Sequence, residues 1–151
     1  MANEIEWVYG SSIALETSGA TVANAGFDSG DGSSITSGGH GDWPLCDLGF
    51  TCTGFGSALA GWQVINVYRR DMDMVGGTTD STVPVAAFKY LYVGSFPMQQ
   101  SNATNSTVNV QLPNVPLSNA VMFYIENTTG QTLNTAWTLT ARPKSYIPGG
   151  A

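Results

Sequence analysis

One histidine, His40, lies in Gly38-Gly-His-Gly-Asp-Trp43. A nucleophile–histidine–acid arrangement would have to pass through it, with Asp42 or Asp47 orienting the imidazole. No Gly-x-Ser-x-Gly elbow or comparable nucleophile context accompanies it. A glycine-rich loop is also a poor mount for a general base, which has to be held in fixed geometry. Asp28-Ser-Gly-Asp-Gly32 has the alternating hard oxygen ligands of part of a calcium loop, but it lacks the third alternate acid and the closing bidentate Glu. Asp71-x-Asp73 is shorter still, and solvated turn residues are the simpler reading of both. Glu16 and Glu126 could form a glycosidase pair only if the fold set them at the separation that chemistry demands, which spacing along the chain does not reveal. No catalytic residue, metal site or cofactor is therefore expected.

Four tryptophans, Trp7, Trp43, Trp62 and Trp137, could stack on sugars. Trp62 and Trp137 fall on strand patterns and are expected in the core. Trp43, beside Pro44 at the end of the glycine run, is the candidate for exposure. Cys46 and Cys52 lie in Pro44-Leu-Cys-Asp-Leu-Gly-Phe-Thr-Cys-Thr53. On one strand they share a face about 20 Å apart, whereas a disulfide needs Cα atoms within about 7 Å. Two free buried thiols are predicted.

Charged residues make up 11% of the chain, against roughly 25% in ordinary globular domains. Hydroxyl, amide and glycine residues take their place, so copies repel one another weakly and the surface suits lasting association. Residues 1–68 hold seven acids and no Lys or Arg, and the net charge is −6. Such a chain is expected to bind neither nucleic acid nor anionic membrane. The start Met1-Ala-Asn-Glu4 has no basic and apolar signal pattern, and no run reaches the ~18 apolar residues of a membrane span. Synthesis in the cytosol is expected, so the sequons at Asn102, Asn105 and Asn127 read as surface loops and not as glycan sites.

The elements that would position these groups are strands. Glu4 to Tyr9 is a short one that Ser11 to Thr17 continues beyond Gly10. Residues 18–43 read as a long polar loop with Ile35 on a brief strand. Leu45–Thr53, Trp62–Arg70, Pro84–Phe96 and Thr107–Leu112 follow, the third being the expected central strand between Pro84 and Pro97. Along Asn119–Asn127, Val121, Phe123 and Ile125 alternate with Met122, Tyr124 and Glu126; along Asn134–Arg142, Trp137, Leu139 and Ala141 alternate with Thr138, Thr140 and Arg142. That period of two marks strands with one buried face. With Gly130 between them and Pro116 and Pro143 outside, the two runs are predicted to pair as an antiparallel hairpin. The whole predicts an all-β antiparallel sandwich of seven or eight strands, jelly-roll-like, with an immunoglobulin-like topology as alternative. The expected core includes Phe88, Tyr90, Phe123, Ile125, Trp137 and Leu139. Residues 1–43 are expected to be a strand and glycine-rich arm beside a sandwich core of 44–151, in a single domain overall.

Val115-Pro-Leu-Ser-x-Ala-x-x-Phe-Tyr-Ile-Glu-Asn-x-Thr-Gly-Gln131 and Trp137-x-Leu-x-Ala-Arg-Pro-Lys-x-Tyr-x-Pro148, with Val67-Tyr-Arg-Arg-Asp71 and Tyr92-Val-Gly-Ser-Phe96, resemble small virion structural proteins of tailed bacteriophages. The resemblance implies a capsid decoration, or cement, protein on the virion surface. Such a protein would bind the major capsid protein and associate with its own copies, as a trimer rather than a dimer, after residing in the host cytoplasm during assembly. It implies no enzyme and carries over no catalytic residue. Ile5, Trp7, Tyr9 and Trp43 of the N-terminal segment are the expected partner contacts, an ordinary first strand and loop being the alternative. A tail or fibre component with a carbohydrate-binding sandwich is the rival function.

Overall fold

A computed structural model describes residues 5–30, 34–36, 43–72, 83–87, 89, 91–98, 107–118 and 120–148. Among them are ten strands and no helix: β1 (Ile5–Tyr9), β2 (Ile13–Gly19), β3 (Phe27–Asp28), β4 (Ser34–Thr36), β5 (Leu45–Cys52), β6 (Gln63–Met72), β7 (Tyr92–Met98), β8 (Val108–Pro116), β9 (Ala120–Asn127) and β10 (Trp137–Pro148). They form two antiparallel five-stranded sheets. In the first, β8, β5 and β10 run side by side, and β1 and β2 share the far edge of β10. In the second, β7, β6 and β9 run side by side, and β3 and β4 share the far edge of β9.

Counted as one broken strand each, β1 with β2 and β3 with β4 reduce ten strands to eight. These eight pair first with last, second with seventh, third with sixth and fourth with fifth. The predicted hairpin is thereby corrected: β9 and β10 belong to different sheets. Alternation specifies which face of a strand is buried, not which strand lies beside it. Phe123 and Ile125 on β9 and Trp137 and Leu139 on β10 are all buried, but they meet the core from opposite sides. Residues 128–136 make the crossing. Asn127 anchors its start, its Nδ2 donating to the Val22 and Gln131 carbonyls (2.9 and 2.7 Å) and its Oδ1 accepting from Thr129. Leu133, fully buried, bridges Val22 and Phe55 between the sheets. Asn127 is thus a buried structural amide, which corrects its reading as a surface-loop residue.

Strict alternation on β5 turns Cys46, Leu48, Phe50 and Cys52 inward, and both cysteines are free and buried as predicted. Phe50 stacks between Phe96 (5.2 Å) and Trp137 (5.9 Å), tying the sheets together. The Trp137 ring lies over Gly19, where a Cβ would come within 2.1 Å of it, and its Nε1 donates to the Ala20 carbonyl (2.7 Å). Ile35 is buried on β4, so the polar stretch 18–43 does carry a brief core strand. Leu15, Val22 and Ile35 all belong to the hydrophobic core.

Pro97 and Pro143, expected to bound strands, lie inside them, and so does Pro113, just past the expected end of the 107–112 strand. Pro143 forms a rung with Gly10, whose N–H donates to the Pro143 carbonyl (2.8 Å). The returning N–H that proline lacks is replaced by Arg142 Nε, which donates to the Gly10 carbonyl (3.5 Å). Pro97 faces Val64 on the edge strand β7, and the Val64 carbonyl takes the Thr128 hydroxyl on its other side (2.7 Å). No ladder bond is lost at that rung. Pro113 lies where β8 shifts register against β5, next to Asn114 at φ 60°. The expected central strand over 84–96 is instead the edge strand β7, beginning only at Tyr92. Phe88 and Tyr90 lie outside the described residues. Trp62, expected in the core, is 76% exposed because β6 starts one residue later and its inward positions are Ile65 and Val67.

Candidate functional site

Residues directly opposed across a ladder share a face. On the outer face of the first sheet, Trp7 opposes Tyr146, Tyr9 opposes Lys144, Asp47 opposes Arg142, and Gly49 lies between Thr140 and Gln111. This gathers aromatic rings and the C-terminal cations on one surface. Trp7, Tyr9 and Tyr146 are 44%, 44% and 55% exposed, and Trp7 meets Tyr146 edge to face at 6.4 Å. Lys144 is buried to its ammonium, which pairs with Asp47 Oδ1 (2.5 Å) and lies 4.9 Å from the Trp7 ring centre. The Arg142 guanidinium sits 4.7 Å from the Tyr9 ring centre. Both rings present their negative faces to these cations, which offsets the desolvation of Lys144. Beside Tyr9 a groove of about 370 Å³ opens towards Gln111.

Of the expected contact residues, Trp7 stands on the sheet's open edge and Tyr9 lines the groove. Trp43, half-buried, packs near Gly10 and Pro143. Ile5 pairs with Pro148 through its backbone; its side chain lies outside the description, as do His40, Asp31, Asp42, Asp73, Asn102 and Asn105. Asp28 Oδ1 accepts from the Gly30 N–H (2.8 Å), an ordinary turn contact. Asp71 pairs with Arg69 (3.3 Å) and accepts from Ser118 Oγ (2.7 Å). Among the described residues no three His, Cys, Asp or Glu side chains are grouped to hold a metal ion.

Glu16 and Glu126 are not brought together. Glu16, on β2 of the first sheet, accepts from the Ser18 N–H (2.6 Å). Glu126 lies on the outer face of the second sheet and is nonetheless 2% exposed. Its Oε2 accepts from Tyr68 Oη (2.8 Å) and Asn66 Nδ2 (3.1 Å), and Lys89 pairs with Oε1. Asn66 Oδ1 in turn accepts from Ser95 Oγ (2.7 Å), which shares a hydrogen bond with Tyr92 Oη (2.5 Å). Phe27 and Tyr92 flank Tyr68 at 5.8 and 5.6 Å. Burial pushes the Glu126 carboxyl upward, but the hydrogen bonds from Lys89, Asn66 and Tyr68 outweigh it and hold the group below its ordinary value. The Tyr68 phenol is raised, first by burial and then by that carboxylate. Every polar group here is satisfied within the network, which fastens the segment carrying Lys89 over the sheet. The sequence singles out Glu126 only as half of a glycosidase pair with Glu16, not as the centre of this network; a lone acid amid the apolar run 120–127, level with Asn66 and Tyr68 on an outward face, was the available signal.

No family model matches the chain, and no curated protein or solved structure matches it.

Proposed function

We propose that the chain is a structural virion protein of a tailed bacteriophage that decorates and stabilises the capsid by binding the major capsid protein lattice. The eight composite strands, paired first with last and inward to the fourth with fifth, form a long hairpin rolled upon itself, which we read as a jelly roll. The carrying observation is the open edge of β1, where Trp7 and Tyr146 stand exposed beside backbone groups that no described strand pairs. Exposed strand edges are normally blunted, because they invite another strand to add. Here the edge strand carries a single charge, Glu6, beside Trp7, Val8 and Tyr9, which suits strand addition by an extended segment of the capsid protein. A weak contact of this kind becomes firm attachment when repeated over a symmetric shell, the more so if copies associate as trimers.

Co-sedimentation with shells assembled from the major capsid protein alone tests this. The wild-type chain should pellet with the shells, and Trp7→Ala and Trp7→Pro, which remove the ring alone and the ring together with an edge donor, should not. Equal pelleting of all three would move the interface elsewhere, and no pelleting of the wild type would end the decoration reading. Sedimentation velocity of the free protein reads the oligomeric state.

A further inference from the structure

We propose that the groove on the outer face of the first sheet binds a neutral saccharide. Its walls come from Tyr9, Ser12, Asp47, Gln111, Thr140 and Arg142, and its floor is Gly49. The absent side chain at Gly49 hollows the sheet between Thr140 and Gln111, its two cross-strand neighbours. The volume, about 370 Å³, lies in the range of small-ligand sites.

The telling feature is an opposed acid and base that do not pair. Asp47 and Arg142 face each other across the β5–β10 ladder, yet no ion pair joins them. Asp47 Oδ1 is occupied by Lys144 Nζ and by the Asn114 N–H (2.9 Å). Arg142 is drawn the other way, its Nε to the Gly10 carbonyl and its plane to Tyr9. The second carboxylate oxygen of Asp47 and the terminal guanidinium nitrogens of Arg142 hold no other described residue, and both side chains line the groove. The Ser12 hydroxyl and the Gln111 amide hold no other described residue and add donors and acceptors along its length. The Tyr9 ring, 44% exposed, supplies the aromatic surface.

This set selects one chemistry. Polar walls do not suit a lipid. An anion drawn by the Arg142 guanidinium would also meet the second Asp47 oxygen, and the chain as a whole, at −6, disfavours it. One carboxylate falls short of the six to eight oxygens of a calcium site. A sugar ring offers hydroxyls that both donate and accept, matching a carboxylate and a guanidinium side by side, and C–H groups that rest on the negative face of a tyrosine ring. The proposal does not rest on capsid attachment, since Trp7, on which that reading turns, does not line the groove.

The test is an array of neutral oligosaccharides, sialylated and sulfated oligosaccharides, and purified bacterial surface polysaccharides, probed with the full chain. The strongest neutral oligosaccharide is then titrated by calorimetry. Gln111→Ala and Ser12→Ala, whose side chains hold nothing else described, should keep the wild-type melting temperature. Each should weaken binding about tenfold, the loss of one hydrogen bond. Tyr9→Ala should abolish binding, and Trp7→Ala should leave it unchanged. Retention of surface polysaccharides without short oligosaccharides, with the same dependence on Gln111 and Tyr9, supports the site and identifies the source as a cell-surface glycan. No bound saccharide, binding of acidic saccharides alone, or affinity indifferent to Gln111 and Tyr9 would overturn the proposal.

Discussion

Replacing Glu126 with Ala should destabilise the protein far more than replacing the Lys89 with which it forms an ion pair. Removing the carboxylate leaves three donors without an acceptor: Tyr68 Oη, Asn66 Nδ2 and Lys89 Nζ. They are not equally costly. The Lys89 side chain is 44% exposed and rehydrates. Tyr68 is 4% exposed, so its hydroxyl is stranded. A buried unsatisfied donor costs about 1–3 kcal/mol, and with a share from half-buried Asn66 the total for Glu126→Ala is about 2–4 kcal/mol. Lys89→Ala removes a partly exposed ion pair and should cost less than about 1 kcal/mol. Urea unfolding followed by tryptophan fluorescence reads both. The acid limb adds a second measurement. Because the folded carboxyl is held below its ordinary value of 4.5, its stabilising contribution is complete above that pH and is lost as pH falls through the lowered folded value. The stability difference between wild type and Glu126→Gln should therefore shrink on acidification below pH 4.5. Equal costs at Glu126 and Lys89, or a difference from Glu126→Gln that does not change with acid, would refute the view that hydrogen bonds from Tyr68 and Asn66 to an ionised carboxylate in a dry site dominate.

Gly19→Ala should cost at least about 2 kcal/mol, because its Cβ would lie 2.1 Å from the buried Trp137 ring; thermal unfolding gives the value. Burial, with Asp47 adding to it, pushes the Cys46 thiol up to about 12, and Cys52 is raised too. At pH 8 a thiol reagent should therefore label neither cysteine in the native protein and both after denaturation without reductant. Leu133→Ala should cost about 2–5 kcal/mol by emptying the contact between the crossing segment and the two sheets. Deleting residues 1–43 should unfold the chain, since Leu15, Val22 and Ile35 leave the core and β9 and β10 each lose an edge partner; a folded, soluble truncation by circular dichroism would show that segment to be an arm.

Alternation made the inward residues readable. Val121, Phe123 and Ile125, or Cys46, Leu48, Phe50 and Cys52, repeat every second position in strands covered on one side, and the core holds them all. Partnership was not readable in the same way. The runs that became β9 and β10 show the alternation of a hairpin because each has one buried face, and two strands facing each other across a core give the same pattern as two lying side by side. What separates the cases is the linker. Residues 128–136 carry Leu133, an apolar side chain that must itself be buried, and follow Asn127, whose amide closes the turn onto Val22 from a distant part of the chain. Proline misled for a related reason. Its missing donor matters only on the side of the strand where a ladder bond falls, and at Pro97 and Pro143 that side is either idle or served by another group.

The groove was less readable still, because no stretch of sequence contains it. Tyr9 comes from β1, Ser12 from the break before β2, Asp47 from β5, Gln111 from β8, and Thr140 and Arg142 from β10. All but Ser12 are outward residues on strands, where a polar side chain is the ordinary choice. Only the pairing of the eight strands turns them into neighbours, and only the register sets Asp47 against Arg142. That opposition, left without an ion pair because Lys144 and Tyr9 claim the two charges first, arises from a three-way competition among residues far apart in the chain. If the competition is what keeps the groove open, Lys144→Met should release Asp47 to pair with Arg142 and close the groove. The variant should then bind saccharide more weakly although Lys144 does not itself line the groove, and binding at wild-type strength would show that the groove does not depend on that competition.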